Sequence, residues 1–557
     1  MRYTGFRRRW SAYFTVVMVF TLLMAALALA PPEGVARAAT DVVTTCQDDG
    51  SAGSFQKVIL GAAAGDTITF AQNCTGANAI VLSGTINLFK NVTIDATASN
   101  PPHAVTINGN GVAAGFYPNG NFTIGLTGLT LTNFNTAIYN PGSTVFNITA
   151  CTFVGNAANN GSSVAVSNGT LNITGSAFYN NTGFGAAIDN GGGVNITGST
   201  FFGNSATGNP GGAILNQSGA VTITNGTFVG NSAGGLTNGG GGALYNVGPG
   251  ARLTITGSTF TGNSAGGTNA SGGATAFTLA FSIVAGNTAT GSGPDIAGPV
   301  TTDNFGNVLG IADGSSGITN GVNHDQAGTA AAPLNPLLAP LGSYGGPVQT
   351  VALLPGSVAI DIALCPLDPL TGGLLNVDAR GVSRPQGLGC AAGSFESRRF
   401  SAINLTGNGQ TTPTGAAFRS PVGLTVTSAT GEPVVGGFVT FTITPGSGGA
   451  SAAFGSNPNC IVTSSTQAVC AIGAGGVATS PTFTANGTGG SFTIYAGGGG
   501  IPSPSSFTET NVAPAPLAAT HPAAATAVGG PPAPRPASHP VVPTPSGATP
   551  LPQPGRH

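Results

Sequence analysis

Hydrophobic and polar residues alternate along this chain in short runs. Val194-Asn-Ile-Thr197 places Val194 and Ile196 on one side and Asn195 and Thr197 on the other, the period of two expected of a half-buried strand. A second run recurs as Ala150-Cys-Thr-Phe-Val-Gly-Asn156, Gly175-Ser-Ala-Phe-Tyr-Asn-Asn181, Gly198-Ser-Thr-Phe-Phe-Gly-Asn204, Asn225-Gly-Thr-Phe-Val-Gly-Asn231 and Gly257-Ser-Thr-Phe-Thr-Gly-Asn263, with a degenerate copy at Phe281-Ser-Ile-Val-Ala-Gly-Asn287. Its central residues, Phe153, Phe178, Phe201, Phe228, Phe260 and Val284, are spaced 25, 23, 27, 32 and 24 apart. A variable period in the twenties predicts a solenoid whose insertions fall in loops. A third segment, such as Gly212-Ala-Ile-Leu-Asn216 or Gly242-Ala-Leu-Tyr-Asn246, completes a coil of three short strands. Strands of successive coils should pair in parallel about 4.8 Å apart, with the Phe residues stacked inside. Asn156, Asn181, Asn204, Asn231 and Asn263, which close each run, are expected in turns of left-handed backbone geometry, their amides forming a ladder.

The pattern divides the chain. Residues 39–95 carry the candidate strands 65–70 and 91–95 and suit an N-terminal cap; 290–398 lose the strict repeat, gain Pro and charge, and suit the opposite cap. Caps are expected because an open solenoid end exposes core and strand edges. Residues 401–512 have longer alternating strands between Gly/Pro turns, as in a small β-sandwich. From 513 to 557 the chain is Pro/Ala/Thr-rich and is expected to be a disordered, extended tail. The fold class expected is all-β: a right-handed parallel β-helix of the pectin-lyase-like kind, an Ig-like sandwich and a Pro-rich tail.

Composition sharpens this. With 91 Gly and 6% charged residues among 557, the chain is far from the usual charged share of about 25%, and helices should be almost absent. Arg2 and Arg7 to Arg9, the apolar run from Phe14 to Ala30, and Ala36-Arg37-Ala38 read as a secretory signal peptide over residues 1–38; an uncleaved anchor is the alternative. Removing that segment takes five of the 15 Lys+Arg and one of the 17 Asp+Glu, leaving 10 against 16, a net charge of −6. A weakly acidic chain without a basic patch argues against nucleic-acid binding. No membrane span is expected in the mature chain. Seven cysteines suit an oxidising compartment, with local pairs Cys46 with Cys74, Cys365 with Cys390, and Cys460 with Cys470. Cys151 is left as a small buried residue at a Ser position of the repeat. Neither a metal nor a cofactor is expected.

Three stretches resemble known families. The Gly-Gly-Ala-Ile/Leu and Phe-x-x-Asn motifs are similar to repeats of chlamydial polymorphic outer-membrane proteins, which are β-helical adhesins. Asn335 to Pro347, Leu353 to Asp361, Asp378-Ala-Arg-Gly-Val-Ser-Arg-Pro385 and Gly393-Ser-Phe-Glu396 resemble the bacterial choice-of-anchor Q domain. Where that pattern carries Cys-Asp, this chain has Cys390-Ala391. Residues 401–512 are similar to bacterial Ig-like domains of invasin-type surface proteins. These resemblances imply surface display; they supply no reaction or ligand.

Parallel β-helices also carry polysaccharide lyases and hydrolases, so catalysis must be argued from residues. A glycosidase needs two carboxylates roughly 5–10 Å apart, and a lyase a base with a cation. Between Ala96 and Pro294 only Asp189 and Arg252 are charged, with His103 the one further titratable group of that kind. Asp189 reads as a solvated turn residue and His103 as part of a surface loop. The best charged constellation is Asp361, Asp378, Arg380, Arg384 and Glu396, read as a hydrogen-bonded network of the C-terminal cap. Asp295, Asp303, Asp313 and Asp325 are spread through loops without the spacing of Ca²⁺-binding β-rolls. Tyr117, Tyr139, Tyr179 and Tyr245, if exposed, would offer stacking platforms for carbohydrate. Asn147-Ile-Thr149 and Asn195-Ile-Thr197 read as repeat chemistry rather than glycan acceptors. Leu551-Pro-Gln-Pro-Gly555 has Pro554 where a sortase signal has Thr, so wall attachment by that route is not expected. The reading is a secreted or cell-surface adhesive or structural scaffold. Its expected partners are extracellular glycans, host or neighbouring cell surfaces, or envelope components; the alternative is a polysaccharide lyase or glycoside hydrolase.

Overall fold

One coil shows how the repeat folds. In the computed structural model, strand Gly193–Thr197 turns Val194 and Ile196 inward, both fully buried. Gly198, at φ 53°, then redirects the chain into Thr200–Phe202, which buries Phe201. Gly203, at φ 65°, makes a second bend, after which Asn204 is buried and Ser205–Ala206 forms a two-residue fourth side. A connection leads to Ile214–Asn216 and the next coil begins. The left-handed residue therefore precedes the ladder asparagine: Gly155, Asn180, Gly203, Gly230 and Gly262 have φ between 51° and 65°. This corrects the expectation placed on the asparagines. A residue without Cβ takes the bend cheaply, which leaves the next side chain free to point inward.

The structure describes residues 39–515 except 100, 159–161, 186, 209, 235–240, 266–275 and 292; the proposed export segment 1–38 and nearly all of the Pro-rich tail lie outside the described residues. Stacked coils form two 11-stranded sheets, a seven-stranded sheet and a six-stranded sheet of the short fourth sides, and strands of successive coils pair in parallel and in register, as in Phe178 opposite Phe201. The variable period has one main source, the connection from the short side to the third face. It lengthens from four residues (184–187) to seven (207–213) to ten (234–243).

Inside, Phe153, Phe178, Phe201, Phe228 and Phe260 form a continuous column, with centroids 4.5, 4.6, 4.7 and 4.4 Å apart. Burying each is worth about 1.5–3 kcal/mol. Beside the column runs the expected ladder. Asn181 Nδ2 donates to Phe153 O (2.9 Å) and to Asn204 Oδ1 (2.8 Å), and this arrangement repeats through Asn231, Asn263 and Asn287. Cys151 is buried at a Ser position; its amide donates to Ser176 Oγ, and burial pushes its thiol up to about 12.

At the N-terminal end the one α-helix among the described residues, Phe55–Gly61, buries Phe55 and Ile59, with Phe55 6.0 Å from Phe70. The disulfide Cys46–Cys74 ties the same end. The 290–398 segment behaves differently from a simple cap. Up to Ala327 it still adds strands, Thr302–Asp303 to the first face and Val308–Leu309 and Gln326–Ala327 to the second. Leu338–Gly342 and Thr350–Leu353 then pair antiparallel, and the chain lies as a strap on the flank. Thr200 Oγ1 donates to Gln349 O (2.5 Å), Asn225 Nδ2 to Val377 O (2.9 Å), and Gly393 N to Phe281 O (2.8 Å). Ser394 Oγ meets Thr227 Oγ1 at 2.7 Å. The strap buries the outward Thr200, Thr227 and Thr259 of the second face. Short hydroxyl side chains let it approach and satisfy its backbone, as buried polar groups require.

Strands Ser401–Thr406, Gly423–Thr427 and Val477–Thr479 form a three-stranded sheet, and six strands including Phe438–Thr444, Gly490–Gly498 and Ile501–Val512 form another. Thr411–Pro413 joins the latter parallel to its last strand. Leu424, Val426, Phe441, Ile494 and Phe507 share their core, which is continuous with Phe281, Val308, Leu353, Phe395 and Phe400 of the solenoid and strap. Among the described residues no helix is long and apolar enough to cross a membrane.

Candidate functional site

The charged constellation is partly assembled. Asp378 Oδ1 accepts from the amides of Arg380 (2.8 Å) and Val382 (3.0 Å), while Oδ2 takes Arg380 Nε (2.8 Å) and the Glu396 amide (2.9 Å). Arg384 Nη1 reaches Glu396 Oε2 at 3.2 Å and Nη2 the Gly393 carbonyl at 2.6 Å. Arg380 also lies over the Phe395 ring, 3.5 Å from its centroid. Burial pushes the Glu396 carboxyl up, while Arg384 and the amides of Ala391 and Gln386 pull it down. Accepting from those three groups suits its ionised form. Asp361 stands apart, paired with Arg399 at 2.6 Å. Sequence reasoning missed Glu432, which lies beyond the strap and accepts from the Arg398 amide and Nε and from Ser397 Oγ, with Arg380 Nη1 at 3.7 Å. The signal was scarcity: only three charged residues occur between 401 and 512. Asp378, Arg380, Arg384, Glu396 and Glu432 are all at most 9% exposed, so a polysaccharide has no approach to these carboxylates. The cluster ties the strap to the C-terminal strands, a lateral clasp instead of an end cap.

Of the scattered aspartates, Asp303 and Asp325 come together. Asp303 accepts from Asn307 Nδ2 (3.0 Å) and Asn323 Nδ2 (2.8 Å), and Asp325 from the Asn307 amide (2.7 Å). Burial, with Asp303 adding to it, pushes Asp325 up to about 7. Asp325 is fully buried, out of a substrate's reach. Asp295 ends the asparagine ladder, accepting Asn287 Nδ2 at 2.8 Å. Asp313 accepts from the amide of Ala330 and stands apart from these. Among the described residues no three His, Cys, Asp or Glu side chains are grouped to hold a metal. His103 stays alone in its loop, its amide donating to Ala96 O, and Arg252 is exposed at the start of a first-face strand.

The third face carries an ordered outward row. Register puts Asn87, Tyr117, Tyr139, Ala165, Asp189, Leu215 and Tyr245 on successive rungs. Tyr117 and Tyr139 are stacked, centroids 5.8 Å apart, and Tyr139 is 39% exposed. Asp189 is a mid-strand residue, correcting its placement in a turn; it accepts Gln217 Nε2 at 2.6 Å, and partial burial pushes its carboxyl up. Tyr245 is buried, and Tyr179 sits on the second face beside Phe202, so neither extends the platform. Asn147, Asn172 and Asn195 form an outward amide ladder on the first face at 2.9 Å per step, in accord with their reading as repeat chemistry.

A family model described as a right handed beta helix region matches residues 110–287. No curated protein and no solved structure matches the chain.

Proposed function

We propose that this chain, a right-handed β-helix protein, is an exported, surface-displayed scaffold that binds an extended, largely neutral glycan along the outward row of its third face. The observation that carries the reading is the stacked Tyr117–Tyr139 pair in register with Asp189, two rungs beyond Tyr139 across the small Ala165. Aromatic faces take the apolar side of sugar rings, and a carboxylate with an amide partner takes their hydroxyls. The rung spacing of about 4.8 Å is close to the length of one pyranose unit. With one charged side chain in the row, a polyanion has no cationic contact there.

Export is read from the basic, apolar and small-residue pattern of residues 1–38, and the resemblance of 401–512 to bacterial Ig-like domains implies surface display. The competing reading is a polysaccharide lyase or hydrolase with its site in loops or in the C-terminal 290–398 segment, where Asp303 is partly exposed.

The test is a glycan array together with a polysaccharide-degradation screen on the chain from Ala39, with and without Ca²⁺. Binding without new reducing ends or unsaturated products, weakened about tenfold by Tyr139→Ala, is expected. Turnover would favour the enzyme reading, and binding indifferent to both Tyr117→Ala and Tyr139→Ala would remove the row.

A further inference from the structure

Two acidic residues from separate strands meet at one corner of the last coils. Asp303 ends Thr302–Asp303, the final strand of the first face, and Asp325 directly precedes Gln326–Ala327, the final strand of the second. Asn307 bridges them. Its main-chain amide donates to Asp325 Oδ1 (2.7 Å) and its side-chain amide to Asp303 Oδ1 (3.0 Å). The two carboxyl groups are near enough to share a hydrogen bond with each other.

No cationic side chain balances this pair. Among the described residues the ion pairs lie elsewhere, on Asp361, Asp378, Glu396 and Glu432, and the one charged group acting on Asp325 is Asp303, which repels it. Asp303 has a donor on each oxygen, Asn307 Nδ2 and Asn323 Nδ2, the latter at 2.8 Å. Asp325 has a donor on one oxygen only. Its Oδ2, in a residue 0% exposed, is buried without a hydrogen-bond partner. Because Oδ1 is engaged by the Asn307 amide, Oδ2 is left for whatever joins the two carboxyl groups. Carboxylates in contact persist only when a proton or a cation lies between them. Asp303 is partly exposed and Asn323 fully so, which opens one side of the pair to solvent.

We propose that Asp303 and Asp325 form a Ca²⁺ site that fastens the final strand of the second face to the final strand of the first. Asp325 Oδ2 and the Asp303 carboxylate supply the anionic oxygens, and Asn323, with its amide turned over, adds Oδ1. Water entering from the exposed side completes the roughly six to eight oxygens that Ca²⁺ takes. A group of three acidic, His or Cys side chains, which is not found among the described residues, is not required, since amide oxygens and water serve this hard cation as well. Mg²⁺ fits less readily, because it demands a near-ideal octahedron and sheds water reluctantly. With two charged ligands the affinity belongs to the weak class, a Kd of about 10⁻⁴–10⁻³ M.

Calorimetric titration of CaCl₂ and of MgCl₂ into the chain from Ala39, stripped of metal with a chelator and held at neutral pH, tests the site. One saturable event is expected, with Ca²⁺ bound about tenfold more tightly than Mg²⁺. At about 10 mM Ca²⁺ the melting temperature should rise by a few degrees, and hydrogen exchange at the Asn307 and Gln326 amides should slow about tenfold. Asp325→Asn and Asp303→Asn should each abolish the saturable event and the calcium-dependent rise, whatever their own melting temperatures. Asp313→Asn, outside this corner, should keep both. No saturable binding by the wild-type chain overturns the site, as does a calcium-dependent rise that persists in both variants. An equal response to Mg²⁺ overturns the assignment to Ca²⁺. Should Asp325→Asn fail to fold, the partly exposed Asp303→Asn decides.

Discussion

Single residues decide how each ladder runs and where it stops. An asparagine both accepts from the coil before and donates to the coil after, so one residue type can repeat through Asn156, Asn181, Asn204, Asn231, Asn263 and Asn287. A second line, in which the Ser176 amide donates to Ser199 Oγ (3.1 Å) and the Ser258 amide to Ser282 Oγ (3.1 Å), follows the same logic: the Ser282 amide donates to Asn307 Oδ1 (3.1 Å) and the Asn307 amide to Asp325 Oδ1 (2.7 Å). Both lines thus finish in an aspartate, Asp295 or Asp325. The second carries a cost, because Asp325 is buried against Asp303 and its carboxyl is pushed up to about 7 from the usual 3.8. Glu509, pushed up to about 7 by burial, acts in the same sense. A carboxyl whose folded value exceeds its unfolded one favours the fold most below about pH 4 and loses that contribution as pH rises to about 7. The melting temperature should therefore fall between pH 4.5 and 7.5 in thermal scans. Asp325→Asn keeps the acceptor for Asn307 and offers Asp303 a donor, so it should raise the melting temperature at pH 8 and flatten the slope. An unchanged slope would assign the pH dependence to other groups.

At the level of elements, the strap is held by polar contacts to hydroxyl-bearing strands on one side and by the buried ionic cluster on the other. Reducing such a cluster by one partner costs more than the cluster contributes net, because the remaining charges stay buried. Glu432→Gln leaves Arg380 and Arg398 without their carboxylate beyond the strap. It is expected to destabilise by about 3–5 kcal/mol, read as a lowered denaturation midpoint. Hydrogen exchange should rise in Thr350–Leu353 and Gly423–Thr427 while the coils around Phe178 and Phe201 keep their protection. Uniform loss of protection would show that the clasp supports the whole solenoid.

Across the whole molecule, the last coils are tied to more than their neighbours. A solenoid coil contacts mainly its neighbours, yet the last coils share one apolar core with the strap and the C-terminal strands through Phe281, Val308, Phe395, Phe400 and Phe441. Phe438 N donates to Pro355 O at 2.8 Å and Phe400 N to Gly500 O at 2.8 Å, so main chain as well as side chains crosses this boundary. Calorimetry of the full chain should show the last coils and the C-terminal strands melting in one transition. A chain ended after Arg399 should melt earlier, by several degrees or more, because it bares that shared core. Two independent transitions in the full chain would show that the junction carries little energy.

The sequence by itself determined the elements that depend on local pattern. The period of two and the recurring Phe-x-x-Asn specify a parallel solenoid with a phenylalanine column and an amide ladder, since every coil repeats the same choice, whereas the left-handed bend falls one residue before the asparagine on which that pattern places it. The three disulfides were legible too, Cys46–Cys74, Cys365–Cys390 and Cys460–Cys470, because each pair is close in the chain. Only the tertiary structure decided what depends on contacts distant in the chain. It placed the 343–396 strap on the flank, separated Asp361 from Asp378, brought in Glu432 and paired Asp303 with Asp325. It also aligned Tyr117, Tyr139 and Asp189, residues 22 to 72 positions apart, on one outward row. A repeat states which side of a strand faces inward, but register across coils and the path of a non-repeating segment are set by packing, and there the candidate sites lie.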